Sequence, residues 1–83
     1  MNGQITVTNE QEQAITLYLE PWAEEYVIEP NGSLDLLGSG PPGQFEVAAC
    51  RGGLTVYGWS GSTVRVFRGG VDVSEGSGEI PSP

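Results

Sequence analysis

Histidine is missing from this chain, and so is lysine. The first absence removes the commonest general base together with the commonest transition-metal ligand. The second leaves three cations, Arg51, Arg65 and Arg68, against eleven Asp and Glu, for a formal net charge of −8. Non-specific affinity for nucleic acid comes from Lys and Arg meeting phosphates, so neither nucleic acid nor an anionic membrane is an expected direct partner. Cysteine occurs once, at Cys50, which rules out an internal disulfide and the disulfide-stapled secreted class. No run approaches the roughly 18 apolar residues of a membrane span. The opening MNGQITV has neither the basic nor the apolar part of a signal peptide. The expected location is therefore cytoplasmic.

The chain's 83 residues are enough for one domain. A chain this short buries only about 60% of the surface that its unfolded form exposes. Function is then expected on a face or loop rather than in a deep pocket.

The dominant positive signal is alternation with period two. It is clearest at Ile15-Thr16-Leu17-Tyr18-Leu19-Glu20 and recurs at Ile5/Val7, Leu34/Leu36, Phe45/Val47/Ala49, Leu54/Val56, Val64/Val66 and Val71/Val73. β-Branched and aromatic residues fill these runs, as half-buried strands prefer. Helix signals are almost absent, with Ala23-Glu24-Glu25 offering a single turn at most. Asn9 to Gln13 reads as a polar connector, and Asn31-Gly32 between two apolar runs predicts a hairpin. Residues 38–43, GSGPPG, form a loop. Arg51-Gly52-Gly53 and Arg68-Gly69-Gly70 read as tight turns, and Gly58-Trp59-Ser60-Gly61 as a corner. The pattern predicts a small all-β fold, an antiparallel β-sandwich of seven or eight short strands, immunoglobulin-like or half jelly-roll. The sandwich is expected over residues 1–73, with the Gly/Ser/Pro/Glu segment 74–83 as a disordered acidic tail.

The phase of each strand predicts which residues face inward: Ile5, Val7, Ile15, Leu17, Leu19, Leu34, Leu36, Phe45, Val47, Leu54, Val56, Val64, Val66 and Val71. The opposite phase holds Tyr18, Glu20, Asp35, Glu46, Tyr57, Trp59, Arg65 and Phe67. If a hairpin closed by Gly61-Ser62 joins the strands around residues 57 and 67, then Tyr57, Trp59 and Phe67 share a face. Arg65 can then stack on Tyr57 or Trp59. The competing expectation is that Trp59 and Phe67 plug one end of the sandwich. Arg65 is open either to pairing with Glu46 or to solvent.

The stretch LEPWAEEYVIEP puts Trp22 and Tyr26 among Glu20, Glu24, Glu25 and Glu29. Two acids beside a tryptophan resemble a glycosidase pair, but that chemistry needs a cleft around the sugar. A solvated acidic rim is the simpler expectation. The acids lack the D-x-D-x-D-G spacing of a calcium loop. One cysteine without histidine gives no zinc or copper site. Cys50 beside Arg51 has no base to make it a nucleophile. The Gly-Gly turns lack the spacing of a phosphate loop. No cofactor or metal is expected.

The segments LYLEPWAEEYVIEPNGSLDL and LTVYGWSGSTVRVFRGG resemble short bacterial or phage all-β proteins. Those share a Leu-Glu-Pro-Trp corner, a Pro-Gly turn and a Gly-Trp-x-Gly-Ser-Thr strand. Here Asn31-Gly32 stands at the Pro-Gly position. The resemblance covers most of residues 4–70, implies a bacterial or phage setting, and carries over no catalytic residue or ligand. The functional expectation is a non-enzymatic module that holds a protein partner or another copy of itself. Its binding residues would be Trp22, Tyr26, Tyr57, Trp59, Arg65 and Phe67, with Glu20, Glu24, Glu25 and Glu29 as an acidic rim. The alternative is an acidic inhibitor or nucleic-acid-mimicking decoy, with Glu20, Glu24, Glu25, Glu29 and Asp35 lined up against a basic groove. A high net charge that merely keeps a small protein soluble stands beside both.

Overall fold

The computed structural model describes residues 2–83, in which eight strands and one short 3-10 turn form the regular structure. The strands are β1 (Asn2–Thr8), β2 (Ile15–Glu20), β3 (Glu24–Ile28), β4 (Ser33–Ser39), β5 (Glu46–Cys50), β6 (Gly53–Tyr57), β7 (Thr63–Arg68) and β8 (Val71–Asp72); the 3-10 turn is Gly76–Gly78. They form two four-stranded sheets, sheet I in the order β1-β4-β7-β8 and sheet II in the order β3-β2-β6-β5. This is the small all-β sandwich that the alternation predicts.

The alternation works as a packing code. Ile15, Leu17 and Leu19 of β2 are buried, while Thr16, Tyr18 and Glu20 between them are only half-buried. Tyr26, Ile28, Leu34, Leu36, Val56, Val64 and Val66 complete the core, and Ile5, Val7, Trp22, Phe45, Leu54 and Val73 pack against it. Burying each large aliphatic contributes about 1.5–3 kcal/mol. Two residues expected inside are not: Val47 is 55% exposed and Val71 64% exposed. Both lie on edge strands, β5 and β8, where the opposite sheet does not cover them.

The strand connections differ from the sequence reading in three places. First, β2 and β6 pair in parallel, Thr16 with Gly53 through Glu20 with Tyr57, so the sandwich is not wholly antiparallel. Second, Asn31-Gly32 does not close a hairpin, because β3 lies in sheet II and β4 in sheet I. It forms a sheet-to-sheet corner, locked by buried Asn9, whose Nδ2 donates to the Ile28 and Gln13 carbonyls at 2.9 and 2.8 Å. Third, Gly58 to Ser62 also carries the chain from one sheet to the other, so β6 and β7 are not partners. The glycine turns after Arg51 and Arg68 do close hairpins, β5–β6 and β7–β8. The LEPWAEEY corner is likewise a hairpin, β2–β3, with Ala23 in its turn at φ 58 and Glu24 and Glu25 already in strand. No helical turn forms there.

The expectation of a disordered segment from Ser74 is corrected. The chain from Val71 onward runs beside β7 and ties itself down along its length. Val73 N–H donates to Val66 O at 2.8 Å, and the Ser74 hydroxyl accepts from Val66 N–H at 2.7 Å. The Ser77 hydroxyl donates to Val64 O at 2.9 Å, and Ser82 N–H to Ser62 O at 2.8 Å. The same segment reaches sheet II. Ser77 N–H donates to the Glu24 carboxylate at 2.9 Å, and the Trp22 indole N–H donates to Ile80 O at 2.6 Å. Residues 74–83 are therefore a strap that bridges β7 and β3 and closes that flank of the sandwich. Its composition suggests disorder because that reading weighs apolar side chains and misses backbone hydrogen bonds.

Candidate interaction face

The aromatic residues singled out in the sequence are not brought together. Trp59 is buried at 9% exposure and fills a slot floored by glycines; a Cβ at Gly38 would come within 2.6 Å of its ring. Its indole N–H donates to Pro41 O at 2.6 Å, and Phe45 meets it edge-on at 5.2 Å. Trp59 is thus the plug of the competing expectation, not part of a docking patch. Trp22 is half-buried under the strap. Phe67 is half-buried on the outer side of sheet I, opposite Asp35 and Asp72. Arg65 is exposed on that same side and pairs with Asp72 at 3.0 Å, not with Glu46. Ser74, through its hydroxyl and then its N–H, and after it Arg65, hold the Asp72 carboxyl below its usual range. Tyr57 lies on the outer face of sheet II, across the sandwich from Phe67 and Arg65. The physical reason is the crossover at Gly58–Ser62, which sends successive strands to different sheets.

Tyr26 points inward as well, and its hydroxyl donates to Glu24 Oε1 at 3.0 Å. Burial first, then this bond to a carboxylate, push the Tyr26 phenol above its usual range. An unfolded tyrosine ionises near 10.0. With the folded value higher, the stability contributed by the neutral phenol is complete below that pH and is lost as pH rises toward the folded pKa. Denaturant melts taken between about pH 8 and pH 11 should show a falling alkaline limb in the native protein and a flatter one in Tyr26→Phe. Equal slopes would show that Tyr26 does not govern this limb.

The acidic rim divides too. Glu24 is buried, held by Tyr26 and by the Ser77 N–H. Glu29 sits exposed beyond the end of β3. Asp35 lies in sheet I, where it accepts the Thr6 hydroxyl at 2.6 Å. The carboxylates Glu20, Glu24, Glu25, Glu29 and Asp35 therefore do not form one line along one face.

What the fold does assemble is the outer face of sheet II. Directly paired residues of a ladder share a face, with Cα atoms about 4.5–5.5 Å apart. One row across the sheet is Glu20–Tyr57–Glu46, drawn from β2, β6 and β5. The next row is Glu25–Tyr18–Thr55–Ala48, from all four strands. Two tyrosines thus stand a diagonal step apart, with carboxylates on three sides. Tyr57 is 43% exposed, Tyr18 and Glu20 are half-buried, and Glu25 and Glu46 are exposed. Among the described residues the one ion pair is Arg65–Asp72, so none of these three carboxylates is neutralised. Among the described residues the face has no cavity. Tyr18 and Glu46 carry the outward phase in the sequence; the β5–β6 hairpin sets Glu46 beside Tyr57, but only the parallel pairing of β2 with β6 brings Tyr18 and Glu20 there. No short-range signal announces that pairing.

Cys50 is exposed at the end of β5, and the Thr55 hydroxyl lies 3.9 Å from its sulfur. Among the described residues no helix is long and apolar enough to cross a membrane, and no group of three His, Cys, Asp or Glu comes together to hold a metal ion. No protein-family model, curated protein or solved structure matches the chain.

Proposed function

We propose that the protein is a non-enzymatic interaction module whose docking surface is the outer face of sheet II, and that its partner is a basic, extended segment of another protein. The observation that carries this reading is the platform of Tyr18 and Tyr57 framed by the unneutralised carboxylates Glu20, Glu25 and Glu46. A guanidinium over an exposed tyrosine gains about 0.5–1 kcal/mol, and flanking carboxylates add charge-assisted hydrogen bonds to the same cation. Net charge −8 draws a basic partner in and repels an acidic one. The interaction-module expectation is kept, with Tyr57, Glu20 and Glu25 retained from the expected residues and Tyr18 and Glu46 in place of the others.

A nuclear magnetic resonance titration with an extended peptide of alternating Arg and Thr tests it. Amide shifts should map to Tyr18, Glu20, Glu25, Glu46, Thr55 and Tyr57, and binding should weaken as salt rises. Tyr57→Ala should lower affinity about two- to fivefold, the equivalent of one exposed cation–π contact. Shifts that map to sheet I, or affinity indifferent to salt and to Tyr57, would refute the assignment.

A further inference from the structure

The two flanks of the sandwich are finished differently. The strap closes the flank between β3 and β7. The other flank ends at β5, and all five of its residues, Glu46 to Cys50, are exposed. Val47 pairs with Val56 and Ala49 with Leu54, so Val47 and Ala49 lie on the core side of sheet II. Val56 there is fully buried, yet Val47 is more than half exposed. Among the described residues, β6 is the only strand with which β5 packs substantially. β5 therefore offers an open row of backbone groups and an uncovered apolar inner side together. Edges are usually protected by charged side chains, above all lysine, by proline, by a bulge, by a covering segment or by being very short. β5 has neither lysine nor proline, and its five residues pair one-to-one with β6.

We infer that β5 is a self-association edge, occupied by β5 of a second copy of this chain in antiparallel pairing about Ala48. The strand is complementary to itself in that arrangement. Glu46 begins it, and Arg51, one of only three cations, follows its last residue. Antiparallel pairing sets each Glu46 opposite Cys50 of the other copy, one residue from Arg51 in the adjoining turn, so a carboxylate and a cation stand near each other at both ends. Val47 falls opposite Ala49 of the second copy, large against small on the uncovered inner side. A two-fold interface requires this kind of self-match. The dimer joins two copies of sheet II into one eight-stranded sheet and covers the β5 edge of each copy.

A five-residue edge buries less than the ~800 Å² per partner of a standard stable interface. The dimer is therefore a weak one, with Kd on the order of 10 μM to 1 mM. Two chains of net charge −8 also repel each other, and salt screens that repulsion. Dimerisation should therefore tighten as salt rises, whereas docking of a basic peptide weakens. The two readings fail separately.

Sedimentation equilibrium on the full chain, over a protein range up to about 1 mM in low salt and in about 0.5 M salt, is the test. The expected result is a monomer–dimer equilibrium that shifts toward dimer with salt. Val47→Lys places a charge on each side of the pairing at an already exposed position, and should raise Kd about tenfold or more. Val47→Thr, still β-branched and uncharged, should keep most of the association. A cross-link fixes the alignment. Ala48→Cys combined with Cys50→Ser should form a disulfide dimer on mild oxidation, because opposed Cα atoms about 4.5–5.5 Å apart suit a disulfide. The native Cys50 pair, about 13 Å apart along the strands, should not. A monomer at every concentration and salt, a Val47→Lys dimer as tight as the native one, or a native Cys50 cross-link as ready as that of Ala48→Cys would each overturn the inference.

Discussion

A chain that ends at Val73 melts roughly 8–24 °C below the full protein, the equivalent of about 2–3 kcal/mol for a domain of this size. The removed residues carry the Ser77 hydroxyl bond to Val64 O, the Ser77 N–H bond to Glu24, the Ser82 bonds to Gly61 and Ser62, and the Ile80 carbonyl that accepts from Trp22. Each such bond contributes about 0.5–1.5 kcal/mol net, and ordering the strap offsets part of the sum. Glu24 and Tyr26, now buried beneath it, would meet water. Thermal unfolding followed by circular dichroism reads the difference. A disordered tail would leave the melting temperature unchanged, so an unchanged value would refute the strap. Ser77→Ala in the full chain should reproduce part of the loss, about 1 kcal/mol, with every other residue in place.

The second large effect is at Gly53. A Cβ built there overlaps the Thr16 carbonyl oxygen and stands 2.8 and 2.9 Å from the Thr16 carbonyl carbon and nitrogen. These are backbone atoms of the parallel seam, where Thr16 pairs with Gly53 and Thr16 N–H donates to Gly52 O at 3.0 Å. Neither side can rotate out of the way. Gly53→Ala should cost more than about 3 kcal/mol, at or beyond the upper end of ordinary overpacking. The neighbouring Gly52 is the control. A Cβ there meets nothing within 4 Å, and its φ of +77 is one that asparagine tolerates. Gly52→Asn should stay within about 1 kcal/mol of the native protein. Denaturant melts of the two variants settle the point; similar losses would mean that the seam is not where Gly53 matters. The seam also sets Glu20 beside Tyr57, so any folded Gly53→Ala protein should lose affinity for the basic peptide.

The expectations that failed share a cause. The alternation at β2 gave both a strand and its buried side, because that information lies within six residues. The turns at Gly52 and Gly69-Gly70 were legible for the same reason. Asn31-Gly32 looks locally like a hairpin turn, yet distant Asn9, reading as a polar connector, locks it into a corner between sheets. Trp59 carries the outward phase, which left it open between a shared aromatic face and a plug; in the fold, Gly38 and Gly43 from another part of the chain make its slot. In each case the deciding partner lies far away in sequence.

The sequence by itself determined the strand content, the alternation that builds the core, the acidic surface and the lack of histidine and lysine. These follow from side-chain chemistry and from the two-residue period of an extended chain. Only the tertiary structure decided that β2 lies beside β6, that the last ten residues form a strap, and that β5 is left open. Those outcomes depend on backbone hydrogen bonds between remote segments, and the backbone groups that make them are the same in almost every residue. The platform of Tyr18, Tyr57, Glu20, Glu25 and Glu46 belongs to that second category. Its residues are visible in the sequence, and only the pairing of the strands makes them one surface.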